Sequence, residues 1–440
     1  MSMSLVNSNS YLESLLQGQP RLPPSPLAWF NQLRANAVDH AGRLKLPTTR
    51  DEEWRFTDLS PLVRHSFQPA RAAPALQTAD VEHFSLTEAA IRLVFVDGKY
   101  MPQLSTPAER LGNRGLIVTN LSSAITANAE AIEPHLGQYA RFEGNLFAAL
   151  NTAFLHDGAL VIVPRGAAID TPVHVLLVTT QPEVASHPRC LFIAEAGSEV
   201  TILEDYVSLN EAIYVTNAVT EIAVGDNAQI SHIRVQRDST EAFHIGNCAV
   251  SLAHASRYRS VSVALGARIS RYDLNTALAA EGAECVIDGL ALINGRQLAD
   301  THSSIDHARP NCTSRQLHKC IADGSAHAVF NGKIMVRPGA QNTDSAQSSR
   351  NLLLNAKARI DTKPQLEIFA DDVKCAHGAT VGQLDSEELF YLKSRGLSEV
   401  AARNLLTYAF GAEIIDRIPI ASLKYRLERT VLEQTKKTEP

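Results

Sequence analysis

Between Asp157 and Val381 the chain is written in short runs of β-branched and aliphatic residues, each introduced by a small turn. GALVIVP, GAAIDTPVHVLLV, GSEVTILEDYV, GDNAQISHIRVQ, GARISRYDL and GAECVIDGLALI are examples, and Gly166, Gly197, Gly225, Gly266 and Gly282 open most of the turns. Val261, Val263 and Leu265 alternate with Ser262 and Ala264, the period of a half-buried strand. No convincing long helix interrupts this stretch. Two features favour a parallel β-helix over a β-sandwich: the turn-plus-strand unit recurs without strict identity, and two-residue hairpin turns are few. A single rung cannot bury its own inner face, so rungs must stack and the stack must be capped.

Helical periods flank this core. From Ser25 to Gly42 the signals are a Ser25 cap, Pro26 at the first position, one face of Leu27, Phe30, Leu33 and Ala37, and a stop at Gly42. DEEWRFTDLSPL (Asp51–Leu62) follows, then a linker-like QPARAAPALQTAD, and strands begin in RLVFVDGKYM (Arg92–Met101). Helices return after Leu384. Asp385 with Glu388 resembles a capping box, Gly396 ends that helix, and Ser398 caps the next. In this second helix Ala401, Leu405, Tyr408, Ala412 and Ile415 share a stripe, while Val400, Leu406 and Phe410 lie elsewhere. Such a helix is expected to pack against a partner as well as its own domain. A third helix runs from Ala421 to about Gln434, ahead of the polar tail TKKTEP. The organisation expected is an N-terminal helical domain (1–90), a mixed connecting segment (91–156), a β-helix core (157–383) and a C-terminal helical domain (384–440).

Composition narrows the function classes. The 440 residues suffice for two or three domains, with 45% hydrophobic, 20% charged and 6% aromatic residues and a net charge of −6. That balance disfavours a nucleic-acid binder, which must neutralise phosphates. MSMSLVNSNSYLESLLQ lacks the basic start and apolar run of a secretory signal, and no arginine precedes Arg21. No apolar run reaches the roughly 18 residues of a membrane span, so a cytoplasmic protein is expected. Its six cysteines contain no CxxC and read as free, mostly buried thiols.

Four groups of residues invite chemistry. NGKI (Asn331–Ile334) offers Gly-Lys, but Ile334 stands where a phosphate loop needs Ser or Thr, so no ATP site is expected. His302, His307, His318 and Cys320 lack the close pairs of a structural zinc site. Arg257, Tyr258, Arg259, Arg268, Arg271 and Tyr272 interleave bases and aromatics, and an outward strand face explains them better than nucleic acid. In DDVKCAHGATVGQLD (Asp371–Asp385), Cys375 and His377 project to one face if the stretch is a strand. Two ligands cannot complete a metal or cluster site, so the pair is half a site at most.

EEWRFTDL (Glu52–Leu59), the strand core and VKCAHGATVGQLDSEELFYLKSRGLSEVAARNLLTYAFGAEII (Val373–Ile415) together resemble the SufB/SufD family of the SUF iron–sulfur assembly system. His-Gly-Ala-Thr after the cysteine looks more like the SufD branch of that family than the SufB branch, and the likeness covers nearly the whole chain. The resemblance implies a right-handed parallel β-helix flanked by helical domains, acting as a non-catalytic scaffold. It implies pairing with SufB through the β-helices and docking of the SufC ATPase on the C-terminal helices, where Tyr391, Arg395, Gly396, Arg403, Leu406 and Phe410 are the candidate contacts. ATP would then belong to the partner. His377 would lie at the SufB seam opposite a cysteine, where a transient cluster forms, with Cys375 secondary; in isolation a homodimer is an alternative. Nothing in the sequence speaks for or against a flavin. Two other readings stand beside this one: a β-helix carbohydrate enzyme of polysaccharide-lyase type, and a purely structural adaptor. The lyase reading lacks clustered carboxylates, since adjacent Asp371 and Asp372 would face opposite ways. Removal of everything from Asp385 onward is expected to leave the β-helix folded.

Overall fold

The computed structural model describes Leu12, Leu15, Leu16 and residues 24–70, 76–106 and 115–436. Most of the opening MSMSLVNSNSYLESLLQ, residues 71–75 of the linker-like stretch and the last four residues of the tail lie outside them. The core is a parallel β-solenoid of about eight turns. Two sheets, of eleven and ten strands, face each other, and almost every rung contributes one strand to each. In the second sheet the later strands are Glu199–Ser208, Gln229–Arg237, Arg257–Ala264, Glu284–Ile293, Thr313–Ala322, Thr343–Leu353 and Val373–Gly382. In the first they are Val215–Val224, Phe243–Leu252, Ile269–Leu278, Leu298–His307, His327–Val336 and Arg359–Ile368. Alternate residues point inward, so Val200, Ile202, Ile230, Tyr258, Cys285 and Ile287 meet Phe192, Ile222, Cys248, Val250 and Leu274 across the interior.

The rungs stack because one corner repeats its backbone. Gly166, Gly197, Asn227, Ala255, Gly282, Asn311 and Asn342 each adopt positive φ, between 51° and 71°. Each donates its amide to a carbonyl one rung further on, from Gly166 N to Ala196 O through Asn311 N to Gln341 O and Asn342 N to Asp372 O. Glycine and asparagine tolerate this left-handed geometry, which is why they recur there. Counting glycines alone misses the asparagine rungs, and Gly225 and Gly266 do not have positive φ.

Both outer faces of the solenoid are covered. Helix α1 (Ala28–Arg43) and α5 (Leu146–Ala153) pack Ala37, Ala41, Phe147 and Leu150 with Val215, Phe243, Ile245 and Ile269 of the first sheet. Between them, α2 (Thr78–Glu82), α3 (Leu121–Ala127) and α4 (Ala129–Ile132) cover the early rungs. The first helix begins at Ala28, and Ser25 does not cap it directly. Ser25 and Asn31 exchange two hydrogen bonds, of 2.8 and 2.7 Å, and Gly42 lies inside the last turn. A buried ion pair locks this flank: Arg189 Nη2 meets Glu221 Oε2 at 2.5 Å. Glu221 accepts the amides of Gly137, Tyr139 and Ala140, while Arg189 donates to Asn151 and Thr152. The strand Ile91–Val96 already belongs to the second sheet, paired in parallel with Val173–Val178.

The C-terminal helices α6 (Ser386–Ser394), α7 (Glu399–Ile415) and α8 (Ala421–Lys436) fold back along the second sheet. Ile414, Ile415, Ile418, Ile420, Leu423, Leu427 and Val431 are buried among Leu203, Val235, Val263, Leu290, Leu317 and Ile321. The solenoid-facing side of α7 is therefore Ala402, Thr407, Gly411, Ile414 and Ile415. Of the stripe read from the sequence, Ala401 and Leu405 are exposed, because the sheet sets the rotation of the helix and apolarity alone does not. Polar anchors fix the arrangement: Lys319 Nζ reaches Glu413 at 2.5 Å and the Phe410 carbonyl at 2.9 Å, and Arg417 reaches Asp288 at 2.6 Å. Ser422 and Arg426 bind Glu88 and Ser85, so α8 ties the end of the chain to its N-terminal third. The expectation that the β-helix stays folded without residues 385–440 does not agree with this packing.

Candidate functional site

The last rung is open. Arg359–Ile368 pairs only with His327–Val336, and Val373–Gly382 only with Thr343–Leu353, so each leaves one edge without a neighbouring strand among the described residues. Unpaired parallel edges are a template for another chain. Around them burial gives way to exposure. Ile368, Phe369 and Val381 are exposed, Phe369 by 60%. Asp371 and Asp372 occupy the intervening turn, and Asp372 contributes its backbone to Gln341 and Asn342.

Cys375 and His377 sit on the last strand with the same facing, one strand period apart. Below Cys375 the inward column continues through Ser345, Ser314 and Cys285. Below His377 it continues through Gln347, Gln316 and Ile287. Both side chains therefore extend the solenoid interior out to its open end. Cys375 is half-buried and His377 exposed, and a side chain at Gly378 would meet nothing within 4 Å. Burial, with Asp344 nearby, pushes the Cys375 thiol up, which disfavours the thiolate that a metal requires. Among the described residues no three His, Cys, Asp or Glu converge as a metal group, so the pair is incomplete within this chain.

The other candidate groups are dispersed by the fold. His307 and His318 point into the interior, and burial lowers them to about 4 and about 3. His318 stacks on Phe330 with ring centroids 4.4 Å apart, and Cys320 is buried with its thiol pushed up to about 12. His302 faces the opposite way, out of the first sheet. Tyr258 and Tyr272 are interior, Arg257 and Arg259 are exposed, and Arg271 is buried beneath Trp54. NGKI lies mid-strand in His327–Val336.

Comparison with known proteins turns on the whole chain. Residues 177–410 match the family described as "SUF system FeS cluster assembly, SufBD core domain", and residues 6–175 match the "SufBD protein N-terminal region". The chain belongs to the SufBD family of the SUF iron–sulfur cluster assembly system. Among curated relatives, an iron–sulfur cluster assembly SufBD family protein of Synechocystis sp. is 43% identical, over 90% of this chain and 89% of its own length. The iron–sulfur cluster assembly protein SufD of Escherichia coli is 34% identical over 88% of each chain. SufD of Bacillus subtilis is 27% identical over 93% of this chain and 94% of its own. No helix of the described residues is long and apolar enough to cross a membrane.

In this SufBD chain EEWRFTDL forms a strap across the outer face of the first sheet. Glu52 pairs with Lys363 at 2.6 Å, Glu53 with His302 at 3.1 Å, Trp54 lies over the Arg271 guanidinium, and Thr57 donates to Asp300. Phe56 contacts His327 and Arg359, so the strap reaches the last rungs. Burial alone would lower His302, but Asp300 at 3.0 Å and Glu53 outweigh it and push the ring up to about 9. A raised folded value means stability fully present below about 6.5 and lost as pH rises through about 9. The contribution is on the order of 3 kcal/mol. The stability difference between wild type and His302→Ala, measured by thermal unfolding from pH 6 to 9.5, should shrink as pH rises; a constant difference would remove His302 as the clamp.

The SufC-docking candidates divide between two environments. Tyr391, Arg395 and Gly396 are exposed around the end of α6, with Arg395 over the Tyr391 ring and Gly396 at φ +94°. Arg403, Leu406 and Phe410 are half-buried; Arg403 donates to the Leu354 carbonyl and Phe410 packs on the solenoid beneath Lys319. The large exposed apolar side chains here are Phe390, Tyr391, Val400 and Leu405. Sequence reasoning passed over Phe390, and also Ile368 and Phe369 at the open rung. An apolar pair one residue ahead of two aspartates was the available signal.

Proposed function

We propose that the chain is a non-catalytic scaffold subunit, pairing through its open rung with a SufB-type partner and carrying a SufC-type ATPase on its C-terminal helices. The observation that carries the reading is the solenoid end itself. Two unpaired strand edges, an exposed Phe369 and a half-complete Cys375/His377 pair coincide on one surface. A partner strand would satisfy the edges, and a partner thiolate would complete the ligand set. The iron–sulfur cluster is cargo in this scheme, held by few ligands at a seam that can open. Imidazole binds iron in its neutral form, so His377 can engage and release without disturbing either core. The exposed side of α6 and α7 supports ATPase docking, because Phe390, Tyr391, Val400 and Leu405 form an apolar set that the solenoid does not cover.

Affinity purification of the full chain from its native host, followed by identification of what accompanies it, tests the assignment. Stoichiometric SufB and SufC, recovered in a cytoplasmic fraction, are expected. A stable homodimer alone, built on the same edges, would remove the heterodimer reading. A complex that forms but takes up no iron and sulfide would leave a structural adaptor.

A further inference from the structure

We propose that Gln347 is the positioning residue for His377, holding its ring by one nitrogen so that the other faces outward; this rests on the reading of His377 as a cluster ligand. Gln347 is 4% exposed and lies directly below His377 in the inward column of the second sheet. Its amide is already oriented: Nε2 donates to Gln316 Oε1 at 2.8 Å, and Gln316 Nε2 donates to Ser303 Oγ at 2.8 Å. That chain directs the amide nitrogen down the solenoid. The trigonal carbon then sends Oε1 to another side, where it has no hydrogen-bond partner. A buried acceptor left unsatisfied is costly, so a donor is expected to reach it.

Across the interior the amide occupies space that Gly332 leaves free, since a Cβ there would stand 2.2 Å from Gln347 Nε2. Ser345 and Ser349, its inward neighbours on the same strand, carry only short hydroxyls, and Ser345 is engaged with Ser314. The rung above supplies His377, exposed and with no side-chain hydrogen bond among the described residues. A ring rotated inward would turn Nδ1, the nitrogen nearer the backbone, toward the rung that carries Oε1. An Nδ1–H held there leaves the Nε2 lone pair directed at the open seam. Metal-binding histidines are commonly oriented in this way by an acceptor behind the ring.

The prediction is a tautomer, readable without a cluster. Free imidazole side chains favour Nε2–H, whereas a Gln347-held ring carries its proton on Nδ1. Two-bond ¹H–¹⁵N spectra of the full chain labelled with ¹⁵N-histidine, recorded in alkaline buffer, report which nitrogen is protonated. The His377 signal is the one missing in His377→Ala. Wild type should show Nδ1–H, Gln347→Met should revert to Nε2–H, and Gln347→Glu, which keeps an acceptor, should retain Nδ1–H. Gly332→Ala, which displaces the amide, should behave as Gln347→Met does and serves if that variant does not fold. Iron(II) binding by the full complex should weaken about tenfold in Gln347→Met. Nε2–H in wild type, or an unchanged tautomer in both disrupting variants, overturns the inference. Cluster formation that survives His377→Ala would instead overturn the ligand reading, whichever tautomer the ring shows.

Discussion

Replacing His377 by alanine is expected to leave the assembled complex intact while cutting cluster formation at least about tenfold. The two halves of this result have separate causes. An interface between two solenoid ends would bury more than about 1,000 Å², and one exposed imidazole is a small part of that area. The strand edges and the apolar positions Ile368, Phe369 and Val381 are untouched by the change. Cluster retention, by contrast, depends on few ligands, and Cys375 and His377 are the thiol and imidazole that the described residues place on the open rung. Cys375→Ser should have the smaller effect, because burial and Asp344 already hold the thiol protonated. Complex recovery and iron–sulfur absorbance per complex, measured for both variants, check the ordering. Loss of the complex in His377→Ala with unchanged absorbance in what remains would make the residue a packing element and refute the assignment.

Truncation after Leu384 should abolish the soluble fold. Seven apolar side chains of the C-terminal helices and the segment between them are buried against the second sheet: Ile414, Ile415, Ile418, Ile420, Leu423, Leu427 and Val431. At roughly 1.5–3 kcal/mol each, their removal amounts to some 10–20 kcal/mol as an upper bound. That is comparable to the ~5–15 kcal/mol that holds a typical protein folded. The loss is not only apolar, since Lys319, 3% exposed, would be left without Glu413 and the Phe410 carbonyl. An uncovered sheet of Leu203, Val235, Val263, Leu290 and Ile321 would also aggregate. Expression of residues 1–384 with measurement of the soluble fraction and dye binding tests this; a monomeric product melting within a few degrees of the full chain would disprove it. The proposed docking surface is accordingly better probed by Tyr391→Ala or Val400→Asp, whose side chains the solenoid does not bury.

Much of this architecture was legible along the chain. The strand period and the recurring turns favoured a stacked parallel solenoid over a sandwich, because each rung must bury its inner face on the next. The caps at Asp385, Ser398 and Gly396 were equally readable: Asp385 accepts the amides of Glu387 and Glu388, and Ser398 that of Ala401. Local chemistry sufficed there, since a cap involves only residues within one turn. The rung corner was half-legible, as its left-handed position is filled by asparagine as often as by glycine.

What the sequence determined by itself was the solenoid, its helical flanks and the Cys375/His377 pairing on one strand face, since all three follow from periods and spacings shorter than a rung. Only the tertiary structure decided which face of α7 meets the sheet, that α8 returns to Glu88, and that Glu53 and Trp54 clamp onto His302 and Arg271 from some 220 to 250 residues away. It also decided that the rung carrying His377 is the one left open, with Gln347 beneath it. These depend on contacts between rungs and flanks far apart in the chain, and the pattern of apolar positions says that a face must be covered without naming what covers it.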